Sequence, residues 1–332
     1  MDAPVDLFTQ QARNRSRSRW VVLGFIVFFA WLGFGGDWIA MAYTAGAEPE
    51  QYRHVVPWFG IALTLVAGGM AAWAWRRGPG SVLWSTSARE VVTPATDAER
   101  RFVNVVEEMC VASGLPRPRT WIVPDEDPNA FATGHDERQA HIAVTQGLLD
   151  TLTREELQAV IGHEMGHVRN LDVRLMTLLA ALVGTVTLLG DGMWRMMRGT
   201  GRMRMAGSRG GKKGGNPLLL VALVLWVVSW LLAPLILRLL ALSVSREREY
   251  LADAMSAQFT RNPLALASAL GRIESAAGPT RAIKRGSAHL CIADPLGRVA
   301  AASRWGASHP PMAQRIARLE AMAHASSVTR EA

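Results

Sequence analysis

The sequence predicts a mainly α-helical (α+β) integral membrane protein with about four hydrophobic helices and an extramembrane domain that contains a small β-sheet. Of the 332 residues, 49% are hydrophobic and only 19% are charged, against about 25% charged residues in soluble domains. Four long apolar runs interrupt the chain. About 200 residues remain outside these runs, which is sufficient to bury one hydrophobic core.

The four apolar runs differ in length. Val55–Trp75 and Pro217–Leu237 are uncharged runs of 21 residues, long enough to cross a hydrocarbon core of about 30 Å. Trp20–Gly36 is also uncharged, and the run resumes after Asp37. We expect it to be a retained anchor rather than a cleaved signal sequence. The run at 175–190 has only 16 residues and is the weakest span. One such run fits a buried core helix, but four favour a membrane protein.

Basic residues predict the orientation of the first two runs. They precede the first run and follow the second, as Arg13, Arg15, Arg17, Arg19, Arg76 and Arg77. The connection around Glu48 carries little positive charge. The positive-inside rule therefore places the N-terminus and the chain after Arg76 in the cytoplasm, and the short loop around Glu48 outside.

Local patterns predict the elements of the extramembrane domain. Helical periodicity predicts a helix over Asp97–Ser113, ended by Gly114. A short strand is expected at Thr120–Val123, and Ala130–Thr133 and His141–Thr145 are expected to pair as a hairpin. Two more helices are expected towards the C-terminus, one from near Pro263 and one from Pro310 to about Ala323.

The sequence HEMGH at residues 163–167 is the main indication of function. Residues four apart lie on one face of a helix, so His163 and His167 can bind one metal ion. Glu164 can then accept a proton from a metal-bound water. From the motif alone, a solvated helix with two unrelated histidines remains the alternative.

The residues around the motif favour a helix. Thr153 and Glu156 have the spacing of a capping box. No proline follows as far as Gly190, so the helix can continue into the next apolar run. Gly162 and Gly166 each cost about 1 kcal/mol of helix stability relative to alanine. That cost suggests that another backbone or the substrate approaches closely there.

A zinc hydrolase needs a third protein ligand and leaves the fourth position to water. The best candidate segment is SREREYLAD at residues 245–253. On a helix, Glu249 and Asp253 share one face. Glu249 would bind zinc, and Asp253 would hydrogen-bond the outer nitrogen of a zinc histidine. Spacing alone leaves Glu247 as an alternative, and a charged helix surface fits the pattern equally well.

HEMGH followed by EYLAD resembles the HtpX-type membrane zinc metalloproteases, relatives of the CAAX prenyl endopeptidases. Three other segments are similar to family motifs: NAFATG at 129–134, IAVTQGLL at 142–149, and SHPP at 308–311 with Arg315 and Ile316. The likeness extends from about residue 90 to 320. It implies a zincin-like metalloprotease domain with one zinc ion per chain and Glu249, rather than Glu247, as the third ligand. Gln146 and Cys291 depart from the family's common residues without touching the zinc chemistry.

The resemblance also implies substrate-binding residues. His309 and Arg315 would lie near the bound peptide, with His309 as the candidate oxyanion donor, and Asn129 would contact the peptide backbone. The alternatives are a helix cap for His309, a surface charge for Arg315 and a turn residue for Asn129. We expect the strand of His141, itself a non-ligand, to offer its edge to an extended substrate.

The third and fourth runs leave the topology open. Because His163, His167 and Glu249 must share one compartment, the chain between them crosses the membrane twice or not at all. Two crossings would place the strongly basic connection 191–216 outside, against the positive-inside rule. A hairpin that enters and returns is the alternative, and the family resemblance favours two crossings.

The expected organisation has five parts. They are a basic cytoplasmic N-terminus (1–19), two transmembrane helices (20–75), a catalytic part with the HEMGH helix (76–174), two further hydrophobic helices (175–242), and a second catalytic part (243–332).

The expected function is a zinc-dependent endopeptidase of the cell inner membrane with a cytoplasmic active site. Its expected substrates are misfolded or damaged membrane proteins, in quality control under stress, and it is expected to cleave itself. The net charge of +8 lies beside the apolar runs, which favours membrane lipids over nucleic acid as partners. The alternatives are a CAAX-type prenyl-protein endopeptidase and an inactive zinc-binding membrane scaffold. A transporter is disfavoured, because only Asp37 and Arg238 are ionisable near the ends of the runs.

Overall fold

The computed structural model describes residues 7–45, 51–183, 220–229, 246–276, 280, 282–283, 290–293 and 310–331. The chain divides into two compact units. The first unit, which we call the catalytic unit, comprises residues 1–18, 77–181 and 240–332. The second, the apolar unit, comprises residues 19–76 and 182–239.

Two helices in the described part of the chain are long and apolar enough to cross a membrane. These are α1, Leu7–Thr44, and α2, Trp58–Ser85. They contain nearly all of the first two predicted runs. Of the fourth run, only the apolar helix α7, Leu220–Ser229, is described. The basic connection 191–216 lies outside the described residues.

Asp37, which interrupts the first apolar run, is a buried carboxylate within α1. Its oxygens accept hydrogen bonds from the backbone N–H groups of Phe59, at 3.2 Å, and Gly60, at 2.6 Å. One oxygen also lies 2.7 Å from His54 Nε2. The free N–H groups at the start of α2 stabilise this charge within the apolar unit.

The sheet of the catalytic unit has the order β1-β2-β4-β3. Its strands are β1, Arg89–Glu90; β2, Arg119–Val123; β3, Ala130–Gly134; and β4, Ala140–Thr145. The predicted antiparallel hairpin of β3 and β4 is confirmed, and β2 pairs with β4 in parallel. The expectation that the strand of His141 offers a free edge is wrong, because β4 is paired on both sides. The edge strand at this end is β3.

Helices pack around the sheet. They are α3, Asp97–Ser113; α4, Gln146–Thr151; α5, Arg154–Arg169; α6, residues 172–183; α8, Arg246–Thr260; α9, Pro263–Ser275; and α10, Met312–Glu331. The predicted bounds of α3 are confirmed: Gly114 ends the helix with φ 71°, a left-handed conformation that suits glycine. The capping box of Thr153 and Glu156 is also confirmed. Side chains from α3, α5, α9 and three strands form one core.

The helix of the HEMGH motif does not continue into the apolar run that follows it. α5 ends at Arg169, and Leu171 has φ 57°. A left-handed residue cannot continue a right-handed α-helix, so the chain turns before α6 begins at residue 172. All side chains of α6 from residue 175 to residue 182 are buried.

Candidate metal centre

The close approach of α8 to α5 brings the two candidate ligand segments together. A Cβ atom added to Gly166 would lie 3.2 Å from the Cα of Ala252, and one added to Gly162 would lie 3.2 Å from Ser256 Oγ. The expected close approach of another backbone is therefore confirmed for Gly166. It explains why glycine is present despite its cost in helix stability.

His163, His167 and Glu249 form a group whose candidate ligand atoms all lie within 4.8 Å of one another. The two Nε2 atoms are 3.1 Å apart. Glu249 Oε2 lies 3.8 Å from His163 Nε2, and Oε1 lies 3.6 Å from His167 Nε2. Ligands bound tetrahedrally to one zinc ion are about 3.4 Å apart. Glu247, the alternative on the same helix, is exposed.

Each histidine is oriented by a carboxylate at its other ring nitrogen. His163 Nδ1 lies 2.9 Å from Asp253 Oδ1, and His167 Nδ1 lies 3.2 Å from Asp172 Oδ2. With Nδ1–H donated to a carboxylate, each Nε2 of a neutral ring carries a lone pair. Two lone pairs and a carboxylate would then face one point, as the ligands of a single cation do. The residues present therefore fit a divalent metal ion.

The electrostatics of the two histidines differ. Burial lowers the pKa of His163 to about 4. Burial also acts to lower the pKa of His167, but the nearby carboxylates of Asp172 and Glu249 outweigh it and raise that pKa to about 9. The carboxylates of Asp172 and Glu249 therefore favour a positive charge beside His167.

Glu164 lines the same cavity as His167 and Glu249 but forms no hydrogen bond with their side chains. Its side chain is 1% exposed, and neither carboxylate oxygen accepts a hydrogen bond from a side chain among the described residues. Burial raises the pKa of Glu164 to about 7, and the charge of Glu249 contributes to the increase. A carboxylate with a pKa near neutrality can both accept and return a proton.

Arg315 is fully buried and bound to the site's carboxylates. Its Nε donates to Asp253 Oδ2 at 2.9 Å and its Nη2 to Asp253 Oδ1 at 2.6 Å. Nη1 donates to the carbonyl of Ile292 at 3.0 Å and lies 3.5 Å from Glu249 Oε2. These partners place Arg315 behind the candidate metal ligands, and its burial rules out the alternative of a surface charge. The expected contact of Arg315 with a bound peptide stays a prediction.

The other two expected substrate residues are placed as follows. Asn129 is fully buried, and its Nδ2 donates to the carbonyl of Ala293 at 2.9 Å. Its Oδ1 accepts from the N–H of Ala130 at 3.1 Å. Its side chain therefore ties the segment 290–293 to β3. His309 lies outside the described residues.

A cavity opens beside Glu164, His167 and Glu249. Its other lining residues are Ala132, Asp172, Val173, Met176, Arg248, Leu290, Cys291 and Ile292. Ala132 belongs to β3, so the cavity reaches the sheet edge. Further along that edge, the N–H of Ile292 donates to the carbonyl of Ala130 at 2.9 Å.

Sequence reasoning missed the residues that support His167. Asp172 receives hydrogen bonds from Asn14 Nδ2, at 2.7 Å, and from Arg248 Nη1, at 3.4 Å. Asp172 follows the second histidine by five residues, a spacing that could have suggested it. Nothing in the local sequence indicates Asn14.

Comparison with known proteins shows the family of this chain. Residues 96–323 match the model of Peptidase family M48. The chain is 34% identical to a protease HtpX homolog of Streptococcus uberis over 318 residues, which is 95% of this chain and 100% of the relative. It is 38% identical to one of Lactiplantibacillus plantarum over 317 residues, again 95% and 100%.

Two further similarities cover less of the other protein. A protease HtpX homolog of Thermoanaerobacter pseudethanolicus is 43% identical over 219 residues, or 66% of this chain and 71% of the relative. The crystal structure of Ste24p from S. mikatae has a TM-score of 0.42 and 17% identity, and the match covers 90% of this chain and 66% of that chain. The family match and the full-length relatives show that this chain belongs to peptidase family M48 and is a membrane metalloprotease.

Proposed function

We propose that this protein is a zinc-dependent endopeptidase that hydrolyses misfolded or damaged membrane proteins at the cytoplasmic face of the cell inner membrane. The observation that carries the proposal is the convergence of His163, His167 and Glu249 beside the buried carboxylate of Glu164. Two imidazoles and one carboxylate are the ligand set of a catalytic zinc site that leaves one position for water.

The ligands and their supports have separate tasks. His163, His167 and Glu249 would hold one zinc ion per chain, with Asp253 and Asp172 fixing the two imidazole rings. When bound, zinc lowers the pKa of water and polarises the carbonyl of the peptide bond.

Glu164 is the proposed general base and acid. Its carboxylate takes a proton from the water that attacks the peptide carbonyl and delivers it to the nitrogen of the leaving amine. Its burial and its lack of a hydrogen-bond partner among the described side chains keep it available for this transfer. The presence of this base favours an active enzyme over a zinc-binding scaffold.

The substrate would bind in extended form along the outer edge of β3. Ala132 lines the cavity. Two residues earlier on the same edge, the carbonyl of Ala130 accepts a hydrogen bond from the N–H of Ile292. Because Cys291 already forms a bridge with Phe131 on this edge, the peptide would continue from the segment 290–293 along β3. Main-chain hydrogen bonds there would place its peptide bonds near Glu164. Asn129 would then act indirectly, by holding the segment 290–293 against β3.

The membrane arrangement is proposed from charge. Four arginines precede the first apolar run and two follow the second, so the positive-inside rule favours a cytoplasmic catalytic unit. We propose two further crossings by the third and fourth runs. Labelling of a cysteine introduced at Gly207 by an impermeant thiol reagent outside the cell supports two crossings. Labelling only after permeabilisation contradicts them.

Purification of the full chain in detergent tests the catalytic proposal. A chelator during purification prevents the expected self-cleavage, and zinc is then restored before metal analysis and a casein-cleavage assay. We expect one zinc ion per chain and cleavage that depends on it. Glu164→Gln should keep the zinc and abolish cleavage, because the amide cannot accept the proton.

The matched control is Glu155→Gln, at an exposed position of the same helix, which should cleave casein at the wild-type rate. Cleavage by Glu164→Gln would refute the assignment of the base. Cleavage of a farnesylated CAAX peptide in preference to casein would favour the prenyl-protein endopeptidase instead.

A further inference from the structure

The first turns of α1 contact the end of the helix that carries the metal-binding histidines. Asn14 is fully buried in the catalytic unit. Its Nδ2 donates to the carbonyl of Asn170 at 2.9 Å and to Asp172 Oδ1 at 2.7 Å. One turn earlier, Gln11 Nε2 donates to the carbonyl of Arg169 at 2.6 Å. The last carbonyls of a helix have no partner within it, so these side chains cap α5 from outside.

The two carboxylate oxygens of Asp172 contact different residues. Oδ2 lies 3.2 Å from His167 Nδ1. Oδ1 accepts from Asn14 at 2.7 Å and lies at the longer distance of 3.4 Å from Arg248 Nη1. The shortest contact that holds this carboxylate therefore comes from Asn14.

The backbone around Asp172 needs such a support. Leu171 has φ 57°, a left-handed conformation that is unfavourable for a residue with a Cβ atom. Residues in this region persist only when their surroundings hold them. Asn14 bridges the carbonyl before Leu171 and the side chain after it, so it fixes both ends of the turn.

We propose that Asn14 is a positioning residue for the metal centre, which acts through Asp172 to fix the ring of His167. The N-terminal segment is then part of the catalytic scaffold and not only a basic anchor of the first apolar run. This inference rests on the proposed metal-binding role of His167. Side chains that orient metal-bound histidines typically change metal affinity or activity by about 10–100-fold when removed.

Zinc affinity measured by chelator competition on the full chain in detergent tests the proposal without relying on activity. Asn14→Leu, of similar size, should weaken zinc binding by about 10-fold, at the low end of the range for such supports. The matched control is Asn104→Leu at an exposed asparagine of α3, which should bind zinc as the wild type does. Asn14→Ala provides a second variant without added bulk if the leucine variant does not fold.

A double-mutant cycle separates positioning from general stabilisation. If Asn14 acts through Asp172, Asn14→Leu should weaken zinc binding in the wild type but not further in an Asp172→Asn background. In casein cleavage by the zinc-loaded enzyme, kcat should fall while KM is unchanged, because Asn14 does not line the cavity.

Two results would overturn the inference. One is unchanged zinc affinity in both Asn14 variants, and the other is a loss of the same size in the two backgrounds. Zinc binding would give different results if the proposed metal site itself were wrong. In that case the wild type would bind no zinc, or His163→Ala would bind it as tightly as the wild type.

Discussion

Arg315 donates two hydrogen bonds to the carboxylate of Asp253, at 2.9 and 2.6 Å, in a position where Arg315 is fully buried and Asp253 is 2% exposed. The same carboxylate faces His163, and the same guanidinium lies 3.5 Å from Glu249. One arginine therefore compensates the negative charge behind two of the candidate metal ligands. Burial acts to lower the pKa of Arg315, but Asp253 and Glu249 outweigh it and raise that pKa above its usual value.

Replacement of Arg315 by methionine should destabilise the protein strongly. It leaves the buried carboxylates of Asp253 and Glu249 uncompensated, and breaking such a buried pair costs about 3–5 kcal/mol. The measurement is denaturant unfolding of metal-free protein in detergent. Arg318→Met on the same helix is the control, since it removes only an exposed cation–π contact with Tyr250, worth about 0.5–1 kcal/mol. Equal effects of the two variants would contradict the assigned role.

Glu249→Gln should abolish tight zinc binding, whereas Glu247→Gln should not. The two glutamates are two residues apart on α8, but Glu249 is buried beside the histidines and Glu247 is exposed. A neutral amide is a much poorer zinc ligand than a carboxylate. Metal analysis after dialysis provides the comparison. One zinc ion per chain in Glu249→Gln would remove this residue from the ligand set.

Gly166→Val should separate α5 from α8. A Cβ at this position lies 3.2 Å from the Cα of Ala252, and overpacking of this kind costs about 1–3 kcal/mol. Because α8 carries Glu249, zinc affinity should fall together with thermal stability. Gly271→Val is the matched control in α9, where an added Cβ meets no atom within 4 Å. A Gly166→Val protein as stable as this control would show that the helices can adjust.

Local patterns predicted much of the fold because they encode local structure. The capping box of Thr153 and the C-cap at Gly114 involve residues that are close together in the sequence, so both can be predicted from it. The residues that support the candidate metal ligands could not be predicted in this way. Asp172 reaches His167 only because Leu171, neither glycine nor asparagine, adopts a positive φ. Asn14 contacts Asp172 across 158 positions of the chain, a pairing that no spacing rule contains.

The edge strand was also mispredicted, since a hairpin pattern specifies that β3 and β4 pair but not which of them pairs again. β2 pairs with β4 in parallel, and parallel strands come from non-consecutive segments of the chain. His141 therefore lies on a central strand, where its ring accepts a hydrogen bond from Trp121 Nε1 at 3.1 Å.

The position of His141 predicts a loss of stability in acid. Burial, with a smaller contribution from Arg119, lowers the pKa of His141 to about 4, from 6.5 in the unfolded chain. Between these values the unfolded state binds more protons, so the contribution of His141 to stability falls as the pH decreases from about 6.5 to about 4. Protonation of Nδ1 would also break the bond from Trp121.

His141→Gln removes this titration while keeping an acceptor for Trp121. The free energy of unfolding should be measured for the metal-free wild type and variant from pH 4 to pH 8. The contributions of titratable groups that both proteins share then cancel in the difference. We expect a constant difference above about pH 7 and a shift in favour of the variant as the pH falls through 6.5 towards 4. A difference that does not change across this range would show that His141 titrates alike in the folded and unfolded chains.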